Sequence, residues 1–233
     1  DCNVGVGRNA LRSNTTAGNN TAIGTNSLCS NTTGTENVAV GFCALTTNVT
    51  GVNGTAVGND ALKLNTGDTN SAFGRRALCT NSSGSSNVAV GGNALCANTT
   101  AADNTAVGTA ALKTNSTGAS NTAVGRCALN ANTTGCRNTA VGNQSSDANT
   151  TGQCNVTMGH DSFSTNTTGS DNVAIGADAL YSSTTSSNNT AVGKSALALN
   201  TTGTENTAVG QNALTKNTTA DNNTAMGNSA LAC

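Results

Sequence analysis

The chain has 233 residues, a formal net charge of −1, 9% charged residues, 2% aromatics and no proline. Its basic residues form no block that could neutralise phosphates and its aromatics are too few to stack on bases, which excludes a nucleic-acid partner. Apolar runs fall far short of the ~20 residues of a membrane span, which excludes insertion, and near-zero net charge with regularly spaced apolar positions argues against disorder.

Read from the N-terminus, the first recognisable block ends at Gly7, and the same block then recurs to the end of the sequence. Its last glycine falls at Gly7, Gly24, Gly41, Gly58, Gly74, Gly91, Gly108, Gly125, Gly142, Gly159, Gly176, Gly193, Gly210 and Gly227. The spacing is 17 throughout except from Gly58 to Gly74, where Asn65-Thr66-Gly67 replaces the usual Asn-Thr-Thr-Gly. With this glycine as position 0, the consensus is N-T-A-V-G-x-x-A-L-x-x-N-T-T-G-x-x. A period this short cannot hold a helix pair, and Asn, Thr, Gly and Val disfavour helix.

The fold expected is therefore all-β: a parallel β-solenoid (β-roll or β-helix) of about 14 coils of 17 residues. Each coil is expected to carry two short strands, around −4 to −1 and +3 to +6. Strand alternation assigns positions −1 (Val40, Val57, Phe73) and −3 (Thr21, Val38) to the interior. Leucine at +4 is expected to form a second core ladder, interrupted by Ser146 and Phe163. The alanines at −2 and +3 then face outward. Coils stacked at ~4.8 Å would form a rod on the order of 65 Å long. Residues 1–233 are read as a single solenoid, uncapped at both ends, because the consensus starts at Asn3 and continues through Leu231.

The blocks Asn37-Val38-Ala39-Val40-Gly41 and Asn172-Val173-Ala174-Ile175-Gly176 resemble the head repeats of trimeric autotransporter adhesins. That resemblance implies a left-handed parallel β-roll that binds host surfaces as a homotrimer. Here the period is longer by the Asn-Thr-Thr-Gly corner, and the nine cysteines are foreign to that family. A weaker likeness is to plant ice-binding solenoids.

No catalytic, cofactor or metal site is expected. The only histidine, His160, reads as a surface residue, and the acidic residues are scattered singly over variable positions. The corner makes N-x-S/T sequons at Asn14, Asn31, Asn48, Asn81, Asn98, Asn115, Asn132, Asn149, Asn166, Asn200 and Asn217. These are either N-linked glycan sites or an interior ladder of stacked amides. Nine cysteines without a CxxC pair favour an oxidising compartment. Cys79 and Cys96 share position +5 in consecutive coils, within disulfide reach. Cys136 with Cys154 and Cys29 with Cys43 are further pairs, and Cys2 with Cys233 would clasp chains joined head to tail.

The expectation for function is a non-enzymatic structural protein of an extracellular fibre or surface appendage, self-associating head to tail or laterally. An adhesin head and an ice-binding protein are the alternatives. An inward threonine column at −3, interrupted by valine, counts against the ice-binding reading.

Overall fold

The computed structural model describes residues 2–232. Among them the regular structure is fourteen strands of three residues, one per repeat, without a helix. In chain order they are β1 (Val4–Val6), β2 (Thr21–Ile23), β3 (Val38–Val40), β4 (Thr55–Val57), β5 (Ser71–Phe73), β6 (Val88–Val90) and β7 (Thr105–Val107). There follow β8 (Thr122–Val124), β9 (Thr139–Val141), β10 (Val156–Met158), β11 (Val173–Ile175), β12 (Thr190–Val192), β13 (Thr207–Val209) and β14 (Thr224–Met226).

The chain divides into two compact units, Asp1–Thr117 and Gly118–Cys233. The first carries β1–β7, each parallel to the next and in unbroken register from Val4 opposite Thr21 to Val88 opposite Thr105. The second carries β8–β14 in the same arrangement, from Thr122 opposite Thr139 to Thr207 opposite Thr224. Each unit is a parallel β-solenoid with the repeat spacing read from the sequence.

Among the described residues, the second strand expected in each coil is not there. Positions +1 to +6 form a run of tight turns in which +2 and +4 adopt left-handed backbone, as at Asn26 (φ 60) and Leu28 (φ 46). The reason lies in the side chains. Ala44 and Leu45, at +3 and +4, are consecutive and both fully buried. An extended strand would send one of them outward, so the backbone must turn to put both inside. The turn segment still bonds coil to coil: Leu45 N–H donates to the Ala61 carbonyl at 3.0 Å, and Asp60 N–H to that of Phe42 at 2.9 Å.

The strand phase is also the reverse of the expected one. Alanine at −2 is the inward residue, as at Ala22, Ala39 and Ala123, whereas −3 and −1 point outward. The interior is so thin that, where +4 is leucine and +3 alanine, they fill it and leave room for no more than a methyl group at −2. A shift of one residue turns every strand side chain over, and here it sends the larger ones outside.

The anchor glycine sits where consecutive coils touch closely. Gly41 has φ 140, and a Cβ there would lie 2.5 Å from the Gly58 carbonyl oxygen. No other residue type fits this column.

Candidate functional site

The outward face of each sheet is built from the side chains at −3 and −1. In the first unit it presents Ile23, Val38, Phe73, Val88 and Val90 among its exposed large apolar residues, and in the second Val124, Val156, Met158 and Met226. Ile23, Phe73 and Met158 are 41%, 42% and 47% exposed. Threonine shares −3 with valine and Ser71: Thr21, Thr55 and Thr105 in the first unit; Thr122, Thr139, Thr190, Thr207 and Thr224 in the second. The result is a ribbon of apolar and hydroxyl side chains repeating at the strand spacing of ~4.8 Å. Isolated exposed apolar residues are ordinary, but contiguous rows of them mark an interaction surface.

The corner asparagines are interior. Asn31, Asn48, Asn81, Asn98, Asn115, Asn132, Asn149, Asn166 and Asn200 are all buried, and Asn14 and Asn217 are half-buried. Their amides form a ladder: Asn48 Nδ2 donates to Asn31 Oδ1 at 3.1 Å and to the Gly51 carbonyl at 2.9 Å. A second ladder runs at −4, where Asn20 Oδ1 accepts the Asn37 backbone N–H at 3.0 Å and Asn37 Nδ2 donates to the Gly51 carbonyl at 2.9 Å. The +10 carbonyl thus ties both ladders together. Of the two readings of the corner, the amide ladder is what the coils contain. At the buried positions Nδ2 is a donor in this network, and a glycan there would remove that donor.

The ladders explain the irregular coils. At the deletion, Asn65 Nδ2 reaches the Gly67 carbonyl at 2.7 Å, and Asn81 Nδ2 still finds Asn65 Oδ1 at 2.6 Å. Where serine replaces the corner asparagine, Ser183 bonds to Ser186, whose hydroxyl accepts from Asn189 Nδ2 at 3.1 Å. The Leu→Ser exception at +4 is likewise compensated. Ser146 donates to Thr157 Oγ1 at 3.0 Å, and Thr157 occupies the −2 position that alanine holds elsewhere. Ser145 joins Thr157 and Ser162 at 2.8 and 3.1 Å, closing a buried hydroxyl cluster.

The eight described cysteines are free thiols, so the expected disulfides are absent among the described residues. Cys233 lies outside the described residues, and Cys2 is exposed. Cys136 and Cys154 are half-buried neighbours, with Cys154 N–H donating to the Cys136 carbonyl at 3.1 Å. The Cys136 thiol instead donates to the Thr134 carbonyl at 3.3 Å. Cys29 and Cys43 are buried, and Cys43 Sγ accepts from Asn26 at 3.9 Å. Cys79 and Cys96 do meet. The neighbouring Cys96 thiol pulls Cys79 down to about 6, with the Arg76 guanidinium adding to the effect against burial. Cys79 in turn, together with burial, pushes Cys96 up.

One group was hidden by treating acidic residues singly. His160, Asp161 and Asp178 bring one nitrogen and two carboxylate oxygens within 4.8 Å of one another. Position +2 of consecutive coils stacks the two aspartates, and His160 Nδ1 lies 3.2 Å from Asp161. Asp161 also lines a cavity of about 360 Å³ with Gln144, Asp147, Ser164 and Tyr181. Burial, with a smaller contribution from Asp161, pushes the Asp147 carboxyl up. These are the side chains with the donor set for a cation among the described residues; the phase comparison that paired the cysteines also pairs Asp161 with Asp178.

The chain matches no protein-family model and no curated protein.

Proposed function

We propose that this protein is a structural component of an extracellular fibre or surface appendage, without enzymatic activity, whose copies associate side by side. The observation that carries this is the outward ribbon of Val, Ile, Phe and Met on β2–β6 and on β8–β11. Such rows are costly to leave against water, and each fully buried side chain of this size contributes about 1.5–3 kcal/mol. The ribbon repeats at the coil spacing, so a partner of matching pitch covers it best, and a second copy has that pitch by construction. The resemblance to adhesin heads supports the same general role at a cell surface.

The test is sedimentation of the wild type against a variant carrying Val57→Lys, Val90→Lys and Val124→Lys. The wild type is expected to sediment as an assembly and the variant as a monomer with an unchanged far-ultraviolet spectrum. Monomeric wild type at high concentration would refute lateral association.

A second reading is favoured by one observation. The threonines at −3 point outward, which removes the argument that set ice binding aside. A Thr/Val ribbon of fixed pitch also suits a crystalline surface. Thermal hysteresis by the wild type, abolished in the triple-lysine variant, would support ice binding over self-association.

A further inference from the structure

The +5 column lies at the surface of the turn segment: Lys63 and Tyr181, both at +5, extend into solvent. Cysteines in this column are short and therefore recessed, with Cys79 at 7% and Cys96 at 9% exposure. They belong to consecutive coils, and the coils are bonded at that point. Thr80 N–H, which follows Cys79, donates to the Cys96 carbonyl at 3.2 Å. Parallel neighbours in register bring their Cα atoms to ~4.8 Å, inside the span a disulfide bridges.

The two thiols are nevertheless unlike. Side chains at +2 and +5 of one coil touch, as Asp60 and Lys63 show at 3.1 Å. One coil further on, the same two positions hold Arg76 and Cys79. The guanidinium therefore attends Cys79, and Cys96 faces the same side chain from the following coil. Asp60 and Lys63 in the preceding coil and Lys113 in the following one are the remaining charges facing the pair.

We propose that Cys79 and Cys96 form a reactive dithiol in which Cys79 attacks low-molecular-weight disulfides and Cys96 resolves the product into a coil-to-coil bond. In the first step the Cys79 thiolate attacks one sulfur of the small disulfide. A mixed disulfide forms, and the other half leaves as a thiolate that takes a proton from water. In the second step Cys96 gives up its proton and attacks the Cys79 sulfur, expelling the second small thiol. The protein loses two protons and two electrons; one small disulfide takes up the same and becomes two thiols. Arg76 stabilises the attacking thiolate, and the shared +5 column of consecutive coils places Cys96 against the mixed disulfide once formed.

Oxidised glutathione is the probe, with acid quenching and peptide mapping. In the wild type the Cys79–Cys96 bond is expected with no glutathione retained on either residue. Cys96→Ser should stop at glutathione bound to Cys79. Cys79→Ser should take glutathione on Cys96 about tenfold more slowly or worse. Because the two thiols are almost equally buried, their rates compare activation rather than access. A brief iodoacetamide pulse on the wild type gives a readout that needs no variant. The thiolate reacts, so alkylation of Cys79 should hold from neutral pH down to about 6 and fall below it. Equal labelling of Cys79 and Cys96, or both thiols still free in excess oxidised glutathione, would overturn the proposal.

Discussion

Ala123 and Val124 are neighbours in β8 with opposite surroundings. The alanine is fully buried and the valine is 37% exposed. The size limit at −2 is set from two directions, by the +3 and +4 residues within and by the next coil of the same unit, where Ala140 stands opposite Ala123. Enlarging Ala123 to Leu should cost about 1–3 kcal/mol or more through overpacking, because stacked backbone cannot yield. Val124→Leu should stay within about 0.5 kcal/mol, as exposed substitutions usually do. Thermal melting of both variants checks this, and equal losses would contradict the observed strand phase. The same pair shows why the phase could not be read from the sequence. In Thr-Ala-Val both faces of the strand are apolar enough to be a core, and the larger side chains suggest the wrong one. The better signal was invariance: −2 is alanine in nearly every coil, while −1 ranges over Val, Ile, Phe and Met. A position that tolerates several sizes has space around it. The buried asparagines at −4, replaced only by Gly54, carry the same signal.

Within a coil the elements are coupled, and the Ser146 coil shows how closely. Leucine at +4 goes with alanine at −2 of the following coil; serine at +4 goes with Thr157. Ser146→Leu alone would press a larger side chain against the Thr157 hydroxyl, and Thr157→Ala alone would strip Ser146 of its partner. Each single change is expected to cost about 1–3 kcal/mol. Together they restore the consensus pair between Leu129 and Phe163, so a double-mutant cycle should show favourable coupling of about 0.5–3 kcal/mol. Strictly additive shifts in denaturant midpoint would mean that the two residues do not sense each other. Period, coil boundaries and the inward +4 ladder were all legible in the sequence because they repeat at one spacing. The turn backbone of +1 to +6 was not, since left-handed leucines such as Leu28 and Leu45 have no propensity signature. Nor was the His160–Asp161–Asp178 group, whose members stand at positions that look merely variable until consecutive coils are overlaid.

At the scale of the molecule, the coils within each unit bond to their sequence neighbours, so the stability of a unit is a sum of similar interfaces rather than the property of one core. The hydrogen bonds make this concrete. In the first unit Leu28 N–H donates to the Ala44 carbonyl at 3.1 Å, Leu62 N–H to that of Ala77 at 3.0 Å, and Leu78 N–H to that of Ala94 at 3.0 Å. Every such bond crosses a single coil interface. Leu78→Asp places a carboxylate where the interior has no cation to pair with it, at an expected cost of several kcal/mol. In a protein with one cooperative core that cost would lower the protection of all amides alike. In a stack of nearest-neighbour interfaces it should be felt where it is made and fade with distance. Hydrogen exchange on the Leu78→Asp variant is therefore expected to lose protection most at the amides of Leu62, Leu78 and Leu95. Leu28, three coils from Leu78, should keep most of its protection. Arg75→Asp, an exposed change in the same coil, should leave all four amides within about 0.5 kcal/mol of wild type. Uniform loss across the first unit would show that its seven strands unfold as one, and the additive picture of the solenoid would have to be abandoned.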